Sequence, residues 1–115
     1  MSSAVRNVWL LGGTSAIAQA YARRKAAQGC KILLVGRNAD HLQANAADLA
    51  ARGAVAATEV IDLAADVDRK AAVDKLIAQH GIPDEVLDAY GILGEQPRAL
   101  ADLAYAAEIV DVNFT

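Results

Sequence analysis

The stretch Val8-Trp9-Leu10-Leu11-Gly12-Gly13-Thr14-Ser15-Ala16-Ile17-Ala18 passes from an apolar run through a double glycine into an alanine-rich segment. Four large apolar residues in succession read as a strand buried on both faces, and the residues after Thr14 read as the start of a helix. A glycine turn between strand and helix lets backbone N–H groups face an anion, and the helix N-terminus adds about half a unit of positive charge. The turn therefore reads as a pyrophosphate cradle. Alone it would say little, because small-residue turns follow many strands. Its weight comes from the pattern around it.

That pattern alternates. The first strand is expected over residues 5–11 and the first helix over 15–28, with Gly29 placed as its left-handed stop. Lys31-Ile32-Leu33-Leu34-Val35 is a second strand closed by Gly36. Asn38 is a good N-cap for a helix through residue 51, with Leu42, Ala46 and Leu49 on its inner face and Gly53 after it. Residues 54–61 read as a third strand. Asp66 could cap the next helix, which carries Val73, Leu76, Ile77 and His80 on one face, and Gly81 and Pro83 stop it before a short strand at 85–89. Residues 97–115 read as helical, with Leu103, Ala106, Val110 and Asn113 or Phe114 on one side. Strands alternating with helices imply right-handed crossovers and a parallel sheet covered on both faces. The expectation is an α/β, three-layer, doubly wound sheet in strand order 3-2-1-4, one domain over residues 1–115, with the fourth strand as an open edge.

Composition narrows the function. The chain has 115 residues and a net charge of −3, so no basic surface for nucleic acid is expected. Cys30 is its only cysteine, which excludes an intrachain disulfide and makes a reducing compartment the default. No apolar run reaches the ~20 residues that span a bilayer, and residues 1–6 lack a signal-peptide character, so no membrane partner and a cytoplasmic location are expected. His41 and His80 share no metal-ligand spacing, and no metal site is expected. Cys30 reads as buried and inert.

The residues resemble the short-chain dehydrogenases/reductases, an NAD(P)-binding family with a Rossmann-like fold, over essentially the whole chain. Gly12-Gly13-Thr14-Ser15-Ala16-Ile17-Ala18 follows the spacing of that family's T-G-x-x-x-G-x-G turn, with alanines for the second and third glycines. The resemblance assigns Gly12, Thr14, Ser15, Ala16 and Ile17 to the cofactor phosphates. Gly36 and Arg37 fall where the adenosine ribose sits. An acidic residue there would favour NAD, whereas a guanidinium can pair bidentately with a 2′-phosphate, so the chain leans to NADP, with NAD and a merely solvated arginine as alternatives. Ile61-Asp62-Leu63 resembles the adenine contact, with a turn-capping role for Asp62 as the alternative. Asp88-Ala89-Tyr90-Gly91 partly matches the family's N-N-A-G, which assigns Ala89, Tyr90 and Gly91 to the nicotinamide ribose side. Asp111-Val112-Asn113 resembles the helix segment carrying the catalytic asparagine, which places Asn113 in a proton relay.

Family members also need a serine and a Tyr-x-x-x-Lys helix downstream of that asparagine, the tyrosine acting as general acid/base. Neither follows Asn113, so the chain reads as truncated before them and inactive alone. Tyr21-Ala22-Arg23-Arg24-Lys25 does fit Tyr-x-x-x-Lys, but on the first helix, where a coincidence of helical spacing is the expected reading. The resemblance implies an oxidoreductase that moves a hydride between a nicotinamide cofactor and a small carbonyl or alcohol, as a homo-oligomer. The alternatives are a nucleotide-binding module without chemistry, and a structural half-domain whose open fourth strand pairs with a partner chain.

Overall fold

The computed structural model describes the backbone of residues 6–12, 16–62, 69–89 and 108–111, and the side chains of 6–12, 18–62 and 71–89. In chain order the elements are β1 (Asn7–Leu11), α1 (Ala16–Ala27), β2 (Lys31–Gly36), α2 (Ala39–Ala51), β3 (Val55–Val60), α3 (Arg69–His80), β4 (Glu85–Asp88) and β5 (Glu108–Asp111). The strands form one parallel sheet in the order β3-β2-β1-β4-β5. This is the expected α/β architecture, extended by one strand.

The sheet separates two apolar layers, and the period-2 alternation of its strands decides which residue goes where. Val8, Leu10, Ile32, Leu34 and Leu87 pack with Ala18, Ala22 and Ala26 of α1 and Leu42 and Leu49 of α2. Trp9, Leu11, Leu33, Val35 and Val86 pack on the opposite side with Val73 and Leu76 of α3. Helices α1 and α2 thus cover one face and α3 the other. The alanines at i, i+4 and i+8 of α1 let its backbone lie close to the sheet. Truncating a buried leucine on either face costs about 2–5 kcal/mol.

Local signals fixed the helix ends. The Asn38 side-chain oxygen accepts from the His41 backbone N–H at 3.1 Å, the expected N-cap of α2. Gly29, Gly53 and Gly81 all take the left-handed φ that their helix-stopping role requires. Between α1 and α2, Asp48 accepts from Arg52 at 3.1 Å and from Arg23 at 3.3 Å. The Arg52 hydrogen bond, helped by Arg23, holds the Asp48 carboxyl below its usual range against the opposing effect of desolvation.

The end of the chain departs from expectation. Residues 108–111 form strand β5, not part of a helix, and β4 is consequently not an edge. Glu85, Val86, Leu87 and Asp88 stand in register with Glu108, Ile109, Val110 and Asp111. Leu103, Ala106 and Val110 suggested a period of 3.6, but Ile109 and Val110 are adjacent β-branched residues, and the outer edge of β4 offers a row of backbone groups that must be bonded. Pairing satisfies that row. Leu103, Ala106, Phe114, the proposed Asp66 cap and Asn113 lie outside the described residues, as does Val5, the first residue of the first expected strand.

The amino end of the sheet is closed by polar bonds. Asn7 donates its backbone N–H to Asp84 Oδ2 at 2.8 Å and receives the Asp84 N–H on its own carbonyl at 2.7 Å. Its side-chain amide donates to the carbonyls of His80 and Ile82, each at 3.1 Å, which caps the end of α3. Lys31 Nζ also donates to the His80 carbonyl, and the His80 ring is directed along the sheet, its Nε2 lying 2.8 Å from Oε2 of Glu59, which stands level with Val35. Buried Glu85 pairs with Lys25 at 3.1 Å and with Arg6 at 3.6 Å.

Candidate functional site

Parallel strands in register end together, so the residues that follow them gather at one end of the sheet. Leu11 is level with Val35 and with Asp88, and Gly36 with Val60. The ladder runs one step further: Gly12 N–H donates to Val35 O at 2.8 Å, Ile61 N–H to Gly36 O at 2.8 Å, and Ala89 N–H to Leu11 O at 2.9 Å. Gly12, Arg37, Asp62 and Ala89 therefore all leave the sheet at its carboxyl end. The chain builds outward from β1 through β2 to β3 and then crosses back to place β4 on the other side of β1. The strand order reverses between β1 and β4, and the place outside the carboxyl ends of strands at such a reversal, the switch-point crevice, is the ordinary ligand position in an open α/β sheet.

At the mouth of that crevice Gly12 has φ of +73°, which only glycine adopts without strain. Its own N–H is committed to Val35, so an anion there would be met by the turn that follows and by the opening of α1, whose first-turn N–H groups have no intrahelical acceptor. Ala16 and Ile17 begin α1 by backbone. Thr14, Ser15, Leu63, Tyr90, Gly91 and the position Asn113 lie outside the described residues. Ala18, at the place of the family's third glycine, is fully buried in the core, its methyl accommodated between helix and sheet.

Gly36 has a packing reason of its own. A Cβ there would stand 3.3 Å from Leu42 Cδ2, so even a methyl group at this position requires the Leu42 side chain to give by a few tenths of an ångström. Arg37 is exposed and has no hydrogen bond or ion pair among the described residues, and no acidic residue ends β2. Asp62 is half-buried and already engaged, and the adjoining Ile61 packs against the α3-side core. Ala89 is partly buried in the turn after β4.

One residue of interest escaped the sequence reading. Asp88, fully buried at the end of β4, is an ionisable side chain beside the crevice, in register with Leu11 just before the glycine turn. Buried carboxylates require bonding partners, and Asp88 has them. Its signal was the carboxylate standing within a motif that usually carries asparagine. Tyr21 and Lys25, by contrast, are removed from the site: Lys25 bonds Glu85 at the first residue of β4, at the amino end. His41 is exposed near the start of α2, His80 ends α3, and Cys30 is buried, as expected. Among the described residues no group of three or more metal-ligating side chains occurs, and no helix is long and apolar enough to cross a membrane.

A Rossmann-like sheet with a glycine turn at its switch point defines a nucleotide-binding class of fold. Residues 6–115 match the family model for short chain dehydrogenases, and the chain belongs to that family. It is 42% identical over 111 residues to an uncharacterized oxidoreductase of Mycobacterium tuberculosis, a match covering 93% of this chain and 43% of that protein. The chain thus spans less than half the length of this curated relative. Among solved structures it resembles L-sorbose reductase from Gluconobacter frateurii in complex with NADPH and L-sorbose, at 26% identity and a TM-score of 0.65, covering 76% of this chain and 34% of that one. NAD+-bound xylitol dehydrogenase, at 24% identity and a TM-score of 0.64, covers 75% and 34% and shares the fold.

Proposed function

We propose that the chain is the cofactor-binding half of an NADP-dependent short-chain dehydrogenase/reductase, a cytoplasmic homo-oligomer acting on a small carbonyl or alcohol compound. The observation that carries this reading is Arg37, an unpaired guanidinium just after β2, at the end of the sheet where the Gly12 turn also lies. The residues present suit a dinucleotide. Gly12 brings no side chain to the turn, α1 presents its positive end, and the end of β2 holds glycine rather than a carboxylate that would repel a 2′-phosphate. L-sorbose reductase from Gluconobacter frateurii, at 26% identity, is complexed with NADPH, which supports the same choice.

In this reading Gly12, Thr14, Ser15, Ala16 and Ile17 hold the pyrophosphate, and Gly36 and Arg37 the adenosine ribose with its 2′-phosphate. Asp62 and Leu63 bound the adenine, and Ala89, Tyr90 and Gly91 flank the nicotinamide ribose. The bound cofactor supplies hydride transfer. Asn113 is proposed as the proton-relay position, and the serine and Tyr-x-x-x-Lys pair are assigned to a remaining part of the parent protein.

Cofactor choice tests the reading. A bidentate arginine–phosphate contact at an exposed site contributes on the order of 1–3 kcal/mol, about a tenfold to hundredfold preference for NADP over NAD. Calorimetric titration with both cofactors should show that preference shrinking with added salt. Arg37→Asp should reverse it, because a carboxylate repels the phosphate and accepts from the free ribose hydroxyls. Equal dissociation constants in the wild type would remove the NADP assignment.

A further inference from the structure

Between the first turns of α1 and α2 lies an open cleft of about 330 Å³, lined among the described residues by Gln19, His41, Ala44 and Asn45. A separate, smaller cavity lies nearer the sheet, lined in part by Leu10, Leu34 and the Arg23–Asp48 pair that ties the two helices together. Both helices run from the carboxyl end of the sheet towards its amino end, so the cleft belongs to the same end as the Gly12 turn. Arg37 stands immediately outside the Asn38 cap of α2, one turn ahead of His41. The lining holds an imidazole, two carboxamides and a methyl group, and no carboxylate. That chemistry donates hydrogen bonds without repelling an anion. The backbone N–H of His41 is committed to the Asn38 cap, and the residue is exposed and lines the cleft.

We propose that His41 is a second specificity-determining residue, its ring N–H donating to the 2′-phosphate that Arg37 engages, with the cleft receiving that phosphate. The proposal rests on the Arg37 reading and adds to it a residue that neither the glycine turn nor the end of β2 contains. A phosphate monoester has three acceptor oxygens, so a bidentate guanidinium leaves one for an imidazole approaching from the α1–α2 side. Selection then depends on two side chains from either side of one helix cap.

The test uses adenosine 2′,5′-bisphosphate and adenosine 5′-monophosphate as probes, with dissociation constants measured by calorimetry on wild type, His41→Ala, His41→Gln and Arg37→Ala. His41 is exposed, and unchanged far-ultraviolet dichroism will show that the variants fold. Wild type should prefer the bisphosphate. His41→Ala should lower that preference about fivefold while leaving the affinity for the monophosphate unchanged, and His41→Gln, which keeps a donor, should recover part of it. If Arg37→Ala lowers the preference and His41→Ala does not, the His41 proposal is overturned and the Arg37 reading stands. If wild type shows no preference, both fall.

Discussion

The two ends of the parallel sheet carry similar residue types and use them in opposite ways. At the amino end Asn7, Asp84, His80, Lys31, Lys25, Glu85 and Arg6 bond to one another or to nearby backbone. At the carboxyl end Arg37 is exposed and unpaired, the glycine turn takes a conformation that other residues avoid, and an open cleft separates the starts of two helices. A cation already saturated by a buried carboxylate stabilises the fold, and a cation left free at a strand end can recruit an anion. On the proposed function, binding belongs to the carboxyl end and stability to the amino end. Lys25 of the Tyr21-x-x-x-Lys25 pattern is paired with Glu85 at the amino end, in keeping with the reading of that pattern as a coincidence of helical spacing.

The contrast breaks if a substitution at one end changes the property assigned to the other. The largest effect is expected from Gly12→Val. A β-branched residue at φ of +73° brings about 1–3 kcal/mol of strain, and its bulk fills the turn, so cofactor affinity should fall by about two orders of magnitude or more. Unchanged affinity by titration calorimetry would remove the phosphate site from this turn.

Glu85→Ala should have the mirror-image phenotype. It strips the buried carboxylate from Lys25, itself only 14% exposed, and should lower unfolding free energy by about 3 kcal/mol in urea titration. The NADP dissociation constant measured well below the unfolding transition should stay within about twofold of wild type. A large loss of affinity in the folded variant would mean that the two ends are coupled.

The smallest effect sharpens the point about the first helix. The Tyr21 hydroxyl is buried without a hydrogen-bond partner, and Lys25 Nζ lies 5.5 Å from the ring centre. Tyr21→Phe should therefore be neutral or stabilising by up to about 1 kcal/mol in thermal melts, because it removes an unmet polar group. A catalytic tyrosine could not be exchanged so cheaply.

The carboxyl end was easier to read in the sequence than the amino end, and the reason is physical. Helix caps, glycine stops and strand alternation act over three to eight residues, so Asn38, Gly29, Gly53, Gly81 and the inner face of α2 were visible as local patterns. The glycine turn is equally local, and parallel topology then carries Arg37, Asp62 and Ala89 to the same end without further information. The amino-end network joins Asn7 to Asp84 and Lys25 to Glu85, pairs more than fifty residues apart with no periodic signal. Nothing local marks Asn7 as the cap of a helix that ends at His80. Residues 108–111 failed for a related reason: Glu108-Ile109-Val110-Asp111 has a short pattern compatible with either element, and the edge of β4 decided it. A local reading cannot see that edge.

The separation of the two ends is tested most directly by amide chemical-shift mapping during titration with NADP. The expected outcome is saturable shifts at Gly12, Gly36, Arg37, Asp62 and Ala89, with His41 and Asn45 moving alongside them. Asn7, Lys25, Lys31, His80, Asp84 and Glu85 should stay in place throughout. Shifts concentrated at the amino-end residues, with Gly12 and Arg37 silent, would contradict the account.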